Sequence, residues 1–198
     1  RGQPRIKPPF PAVEGLYGCP TIVNNVETLA SVPYIIEHGA AEFKKFGTEN
    51  NFGFRIFGIS GCVNKPGTYE YPMGIDFDDL MKAAGRVKGK LKAAIVGGLS
   101  VPILTAEELK GLKMDFDSCI KHGTAIGSGG IMVINDEFSI PELCLRTIEF
   151  YAHESCGKCT PCKQGSKTLK QALKRIVSKK GTRQNLDTAL RIVNTVPG

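Results

Sequence analysis

The stretch Phe54-Arg55-Ile56-Phe57-Gly58-Ile59, followed through Gly61 to Tyr71 by Lys65-Pro66-Gly67 and Thr68-Tyr69-Glu70-Tyr71, decides the fold. Its first half alternates and is rich in β-forming residues. Lys65-Pro66-Gly67 is a turn signal, and the aromatic and β-branched run after it reads as the returning strand of a hairpin. Asp76 then sits where a helix N-cap belongs, ahead of a helix carrying Phe77, Leu80, Met81 and Ala84 and stopped by Gly85. Ala93-Ala94-Ile95-Val96-Gly97-Gly98 and Ile131-Met132-Val133-Ile134 are further strands beside glycines. A hairpin, a helix and then more strands within residues 51–138 predict a mixed sheet with one helix across it. That is a β-grasp (ubiquitin-like) arrangement, and the chain as a whole reads as α+β.

On the C-terminal side, residues 139–198, the pattern turns helical. Leu143 or Cys144, Thr147 or Ile148, and Tyr151 share one face of a first helix. Leu169, Leu173, Ile176 and Val177 stripe a second, and Leu186, Ala189, Leu190 and Val193 a third, after a stop at Lys179-Lys180-Gly181. The stripes predict the core of a small helical bundle. On the N-terminal side, residues 1–50 open with Pro4, Pro8, Pro9 and Pro11 and then read as a helix from Val26 to His38, ended by Gly39. Pro33 either interrupts that helix or belongs to its first turn, if it starts near Ser31. A short amphipathic stretch follows over Ala40 to Phe46. The opening at Arg1 rather than methionine reads as a piece of something longer.

The chemistry is concentrated at Cys156-Gly157-Lys158-Cys159-Thr160-Pro161-Cys162, between the first and second of the C-terminal helices. Two successive Cys-x-x-Cys steps gather more sulfur than a redox pair needs. Gly157 and Pro161 break regular helix there and let the backbone wrap a small object. Clustered soft thiolates select zinc, copper(I) or an iron–sulfur cluster. The spacing is that of the first three ligands of a bacterial four-iron site, but Ser166 stands where the fourth cysteine would fall and no proline follows, so that pattern is incomplete. The structural alternative is three buried free thiols. Cys19, Cys62, Cys119 and Cys144 read as small core residues.

Composition fits a chain that can bury a real core: 198 residues, 41% hydrophobic. No apolar run approaches the ~20 residues of a membrane span, and no signal peptide opens the chain. Seven cysteines, an odd number, argue against a secreted disulfide scaffold and for a reducing compartment. The formal charge is +7, and residues 151–198 hold ten Lys and Arg against only Glu154 and Asp187. This basic segment has three readings: solvated helix faces, a nucleic-acid surface, or cations such as Lys158 and Lys163 that offset the negative charge of a thiolate-bound cluster. With no Trp in the chain and Tyr151 the only aromatic in this segment, stacking platforms for bases are missing, and nucleic acid is not the expected partner. A zinc- or cluster-stabilised basic nucleic-acid-binding module remains the alternative of another class.

Taken with Arg5-Ile6-Lys7-Pro8-Pro9-Phe10-Pro11 and Asn24-Asn25-Val26-Glu27-Thr28, the cysteine motif resembles the NADH-oxidising flavoprotein subunit of respiratory complex I. The same module occurs in NAD-reducing hydrogenases and NAD-dependent formate dehydrogenases. The resemblance covers essentially the whole chain, with its motifs in order. It implies that residues 1–50 are the C-terminal end of an FMN-binding α/β domain, 51–138 a β-grasp domain, and 139–198 a helical bundle holding a [4Fe-4S] cluster. FMN and the cluster are then the cofactors, NAD(H) is the substrate, and electrons pass from FMN to the cluster toward quinone. Val23, Asn24, Asn25 and Thr28 are implied as flavin contacts, Lys7 as a lysine near flavin and cluster, and Cys156, Cys159 and Cys162 as cluster ligands. Without the resemblance Asn24 or Asn25 is a plain N-cap, although short polar side chains at a helix start with unpaired N–H groups also suit a phosphate-bearing ligand.

The family's glycine-rich NADH-binding loop has no counterpart in this sequence, and its fourth cluster cysteine would fall beyond Gly198. Lys163 stands where the family usually has arginine and lacks the forked donors of a guanidinium. The partners implied are a thioredoxin-like [2Fe-2S] subunit and the large iron–sulfur subunit of complex I. The expected location is cytoplasmic, peripheral on the cytoplasmic face of the membrane or on the mitochondrial matrix side, with no direct membrane insertion. The chain by itself is expected not to turn over NADH.

Overall fold

In the computed structural model, which describes residues 9–195, the chain divides into two units, one spanning Pro11–Phe138 and the other made of Pro9 and Phe10 with the residues from Ser139 on. Within the first, β3 (Phe54–Gly61) and β4 (Gly67–Pro72) form the expected hairpin, antiparallel from Phe54 opposite Pro72 to Ile59 opposite Gly67. The Tyr69 hydroxyl donates to the Lys65 carbonyl at 2.6 Å and closes the turn. A two-residue ribbon, β1 (Gly47–Thr48) and β2 (Asn51–Phe52), precedes them. After the hairpin come α3 (Phe77–Ala83), β5 (Leu91–Val96), β6 (Ile103–Thr105), α4 (Phe116–Lys121) and β7 (Gly130–Asn135).

The five-stranded sheet has the order β4-β3-β7-β5-β6. It is mixed: β7 lies parallel to β3 and antiparallel to β5, and β6 closes the edge antiparallel to β5. The alternation of each strand sorts its side chains to two faces. Phe57 and Ile59 of β3, Ala94 and Val96 of β5, and Ile131 and Val133 of β7 join Phe77, Leu80 and Met81 of α3 in one buried cluster. Truncating a side chain such as Phe57, fully buried here, costs about 3–5 kcal/mol. An exposed ion pair such as Lys82–Asp79 contributes about 0–1 kcal/mol, so burial dominates. Gly97, at the end of β5, has φ +108°, and a Cβ there would run into the Ala125 carbonyl oxygen, so only glycine lets the strand end pack so close.

Ahead of the sheet, α1 (Val26–His38) starts and stops where the sequence predicts and runs through Pro33 without interruption. Proline lacks the N–H that would bond the carbonyl four residues back, so the helix gives up that bond and keeps its course. The next helix, α2 (Ala40–Phe43), is shorter than the stretch Ala40 to Phe46 expected. The rings of Tyr34, Phe43, Phe46 and Phe54 meet pairwise at 4.6–6.3 Å and tie α1 and α2 to the start of β3.

From Ser139 on, the second unit consists of α5 (Ile140–Glu154), α6 (Thr160–Val177) and α7 (Arg183–Val193), with α5 packed on α6 and α6 on α7. Ser139 caps α5, and Thr182 with Asn185 forms a reciprocal capping box on α7. Glu149 on α5 faces Lys170 and Lys174 on α6 at 3.8 and 3.4 Å. The predicted core stripes are only partly buried. Leu143 of the first stripe and Ala189 of the third are buried, whereas Leu186, Leu190 and Val193 of α7 are exposed. Leu169, Leu173, Ile176 and Val177 of the second are half-buried, and the buried apolar position on that helix is Ala172, which the stripe does not include. Among the described residues no helix is long and apolar enough to cross a membrane.

All seven cysteines are free. Of the four expected in the core only Cys119 is buried; Cys62 and Cys144 are half-buried and Cys19 is exposed, just after a short 3-10 turn over Leu16–Gly18. Burial, reinforced by the negative Asp115 nearby, pushes the Cys119 thiol from 9.0 up to about 11. The unfolded chain therefore loses this proton first as pH rises. The stabilisation is complete below about pH 9 and is lost progressively as pH climbs toward 11. Urea midpoints measured at pH 8 and pH 10.5 should fall more in the wild type than in Cys119→Ala. An equal fall would show that this thiol does not couple folding to pH.

Candidate metal centre and cofactor turn

The cysteine segment links α5 to α6. Ser155 ends α5, its N–H donating to the Tyr151 carbonyl at 2.9 Å. Gly157, at φ +80°, turns the chain, and a Cβ there would meet nothing within 4 Å, so this side of the turn faces open space. Cys156 is exposed on this loop. Cys159 is the N-cap of α6 and exposed, while Cys162 lies half-buried in the first turn. Pro161 does not break the helix as the sequence reading expected. It occupies the first turn, where its missing N–H would have had no helical partner. Cys159 and Cys162 thus sit at the N-terminus of the 18-residue α6, the positive end of its dipole.

Two polar groups complete the surroundings. The Ser155 hydroxyl lies 3.4 Å from Cys162 Sγ and accepts from the Gly157 N–H at 3.4 Å. One turn beyond Cys162, the Ser166 hydroxyl is buried with no hydrogen-bond partner. The three sulfurs do not converge: among the described residues no group of three His, Cys, Asp or Glu side chains stands close enough to hold a metal ion. The donor set nevertheless fits a soft metal or iron–sulfur cluster. It offers three thiols on an open loop and a helix N-terminus, with Lys158 and Lys163 adjacent in sequence.

The second set lies in the unit Pro11–Phe138. Val23, Asn24 and Asn25 lead into α1 and Thr28 lies in its first turn, and all four are exposed. The Asn25 side-chain oxygen accepts the Glu27 N–H at 2.7 Å, so Asn25 is the N-cap. Its oxygen is thereby engaged, which leaves its NH2 as the group suited to a ligand acceptor. Lys7 lies outside the described residues.

Sequence reasoning missed Glu27 and Arg55. One oxygen of the Glu27 carboxylate accepts the Ile56 N–H at 2.8 Å, and the other pairs with Arg55 at 3.1 Å. The opposite arm of the Arg55 guanidinium donates to the Gly127 carbonyl. A glutamate just inside a helix start normally reads as an end-capping charge, and nothing local signals a partner almost thirty residues away.

Residues 142–198 match the NADH-ubiquinone oxidoreductase-F iron-sulfur binding region. The chain is 47% identical over 190 residues to the F 2 subunit of the NADH-quinone oxidoreductase of Rhizobium meliloti (strain 1021), an alignment covering 94% of this chain and 45% of that protein. It is 46% identical over 202 residues to the F subunit of the NADH-quinone oxidoreductase of Rickettsia rickettsii (strain Sheila Smith), covering 100% of this chain and 48% of that protein. Among solved structures, a crystal structure of an NAD+-reducing [NiFe]-hydrogenase in the H2-reduced state superposes with a TM-score of 0.81 at 34% identity, over 97% of this chain and 33% of that one. Residues 142–198 thus match an iron–sulfur binding region of NADH oxidoreductases. The chain is homologous, along its length, to the F subunit of NADH-quinone oxidoreductase. It spans about half the length of the curated relatives it matches.

The exposures order the thiols by reactivity. With a limiting dose of iodoacetamide at pH 8, Cys19, Cys156 and Cys159 should alkylate first and Cys119 last, read out by peptide mass spectrometry. Early labelling of Cys119 would contradict the packing described.

Proposed function

We propose that this chain is the cluster-binding part, together with one edge of the flavin site, of a subunit that accepts hydride from NADH on FMN and passes electrons to a [4Fe-4S] cluster toward quinone. The observation that carries the reading is the coincidence of Cys156, Cys159 and Cys162 at the α5–α6 junction with the matched iron–sulfur binding region. Residues 1–50 are the C-terminal end of the flavin domain, 51–138 a β-grasp domain and 139–198 the iron–sulfur bundle. The β4-β3-β7-β5-β6 order, with α3 between the first hairpin and the remaining strands, supports the β-grasp assignment.

When bound, FMN supplies conversion of a two-electron hydride to single electrons, and the cluster supplies a one-electron relay. The residues of this chain hold and tune those groups. Cys156, Cys159 and Cys162 supply three thiolate ligands. The α6 dipole and the charges of Lys158 and Lys163 offset the negative charge of the thiolates. The Ser155 hydroxyl, beside Cys162 Sγ, orients that ligand. At the other site Asn25 holds the start of α1 and offers its NH2, with Asn24, Thr28 and the backbone of Val23 beside it. The partners fitting this role are a thioredoxin-like [2Fe-2S] subunit and a large iron–sulfur subunit, on the cytoplasmic or matrix face of the membrane. A diaphorase subunit of an NAD-reducing hydrogenase is the second reading, favoured by the hydrogenase superposition.

In the assembled enzyme, Cys159→Ala should abolish or convert the cluster while FMN remains bound. NADH-driven reduction of a small soluble acceptor at the flavin should survive, and electron delivery to the physiological acceptor should fail. Unchanged rates for both would rule out the cluster assignment.

A further inference from the structure

We infer that Glu27 and Arg55 act together as positioning residues for the flavin: they hold the Asn24–Thr28 turn against the sheet and touch no cofactor themselves. The inference rests on the reading of Asn24, Asn25 and Thr28 as flavin contacts. It starts from a gap in the sheet. β3 is paired with β4 from Phe54 onward, but its other neighbour, β7, joins only at Gly58 opposite Gly130. The Ile56 N–H lies before that point and has no strand to receive it. The Glu27 carboxylate takes the vacant place at 2.8 Å, so a side chain from the first turn of α1 completes the ladder.

The same carboxylate is fixed from two further sides. Its second oxygen pairs with Arg55, whose other arm is anchored on the Gly127 carbonyl in the loop leading to β7. The two side chains retain only 29% and 19% of their exposure, so salt screens the pair less than it screens the surface pairs elsewhere in the chain. The Arg55 Nε is buried without a partner, so the guanidinium relies on Glu27 and Gly127 for its hydrogen bonds. On the α1 side, the Glu27 backbone N–H is held by the Asn25 side chain at 2.7 Å, and the Glu27 carbonyl accepts from the Ser31 hydroxyl at 3.0 Å. One residue therefore carries the N-cap bond that defines the Asn25 conformation at its backbone and the tie to β3 and the β7 loop at its carboxylate. Releasing the carboxylate frees the start of α1, whose residues are otherwise exposed and bury nothing there.

The test compares wild type, Asn25→Ala, Glu27→Gln, Glu27→Ala and Arg55→Met in the flavin-binding protein that contains this chain. FMN affinity is read by quenching of flavin fluorescence, and protection of the Ile56 amide by hydrogen exchange in NMR. Glu27→Ala should lose Ile56 protection and weaken FMN about tenfold, within the usual range of coupling between sites. Glu27→Gln, which keeps an acceptor for the Ile56 N–H but not the charge, should retain protection and recover part of the affinity. Arg55→Met should weaken FMN similarly, and iron content should stay unchanged throughout. If Asn25→Ala weakens FMN while Glu27→Ala and Arg55→Met bind it as the wild type does, the positioning role is wrong and the flavin reading stands. If Asn25→Ala binds FMN as tightly as the wild type, the flavin reading falls and takes this inference with it.

Discussion

The parallel pairing of β3 with β7 is the constraint on which the sheet depends. The β3–β4 hairpin is local, and so is the β5–β6 pair. Strand β7 joins them, antiparallel to β5 and parallel to β3 in a four-residue register from Gly58 opposite Gly130 to Gly61 opposite Val133, across a long stretch of intervening chain. Closing so long a loop costs entropy, and burial offsets it: β7 brings Ile131 and Val133 against Phe57, Ile59 and the α3 side chains in one cluster. The close approaches at Gly97 follow from the same geometry, since β5 must end against the loop that delivers β7.

That pairing also explains why the start of α1 is attached where it is. Because β7 joins β3 late, the first residues of β3 present an unmatched edge, and an unpaired N–H removed from water is costly. Glu27 and the aromatic group of Tyr34, Phe43, Phe46 and Phe54 occupy that edge. The helical unit is built differently. Its helices are well capped and joined by the Glu149–Lys170 and Glu149–Lys174 pairs, but much of its apolar surface, Leu186, Leu190 and Val193 above all, is left uncovered. Caps and half-exposed ion pairs each contribute about 1 kcal/mol or less, so this unit has less holding it together than the sheet.

Elements with strong period or punctuation were legible in the sequence. The hairpin around Lys65-Pro66-Gly67, the helix before Gly85, α1 with its Gly39 stop and the three C-terminal helices all announce themselves through turn residues or apolar stripes. β6 and α4 were not, because three residues after Pro102 and six residues after Asp115 are too short to show a period. Their place is set by the neighbouring β5 and by the Cys119 side chain in the core, which is tertiary information. Stripe and burial also came apart: Leu186, Ala189, Leu190 and Val193 fall on one face of α7 as predicted, yet of the four Ala189 is buried and the three larger side chains are exposed.

The candidate sites were legible as motifs and not as geometry. Spacing singled out Cys156, Cys159 and Cys162 because soft-metal chemistry demands several thiolates in few residues, but it could not say that two of them would fall on a helix N-terminus or that the sulfurs would stand apart. The most direct measurement is visible absorption with iron and acid-labile sulfide analysis of the protein purified anaerobically from its own cells. The account predicts a brown protein with a broad visible band and iron and sulfide in equal amounts, lost when Cys156, Cys159 and Cys162 are replaced by alanine. A colourless protein carrying stoichiometric zinc would contradict it.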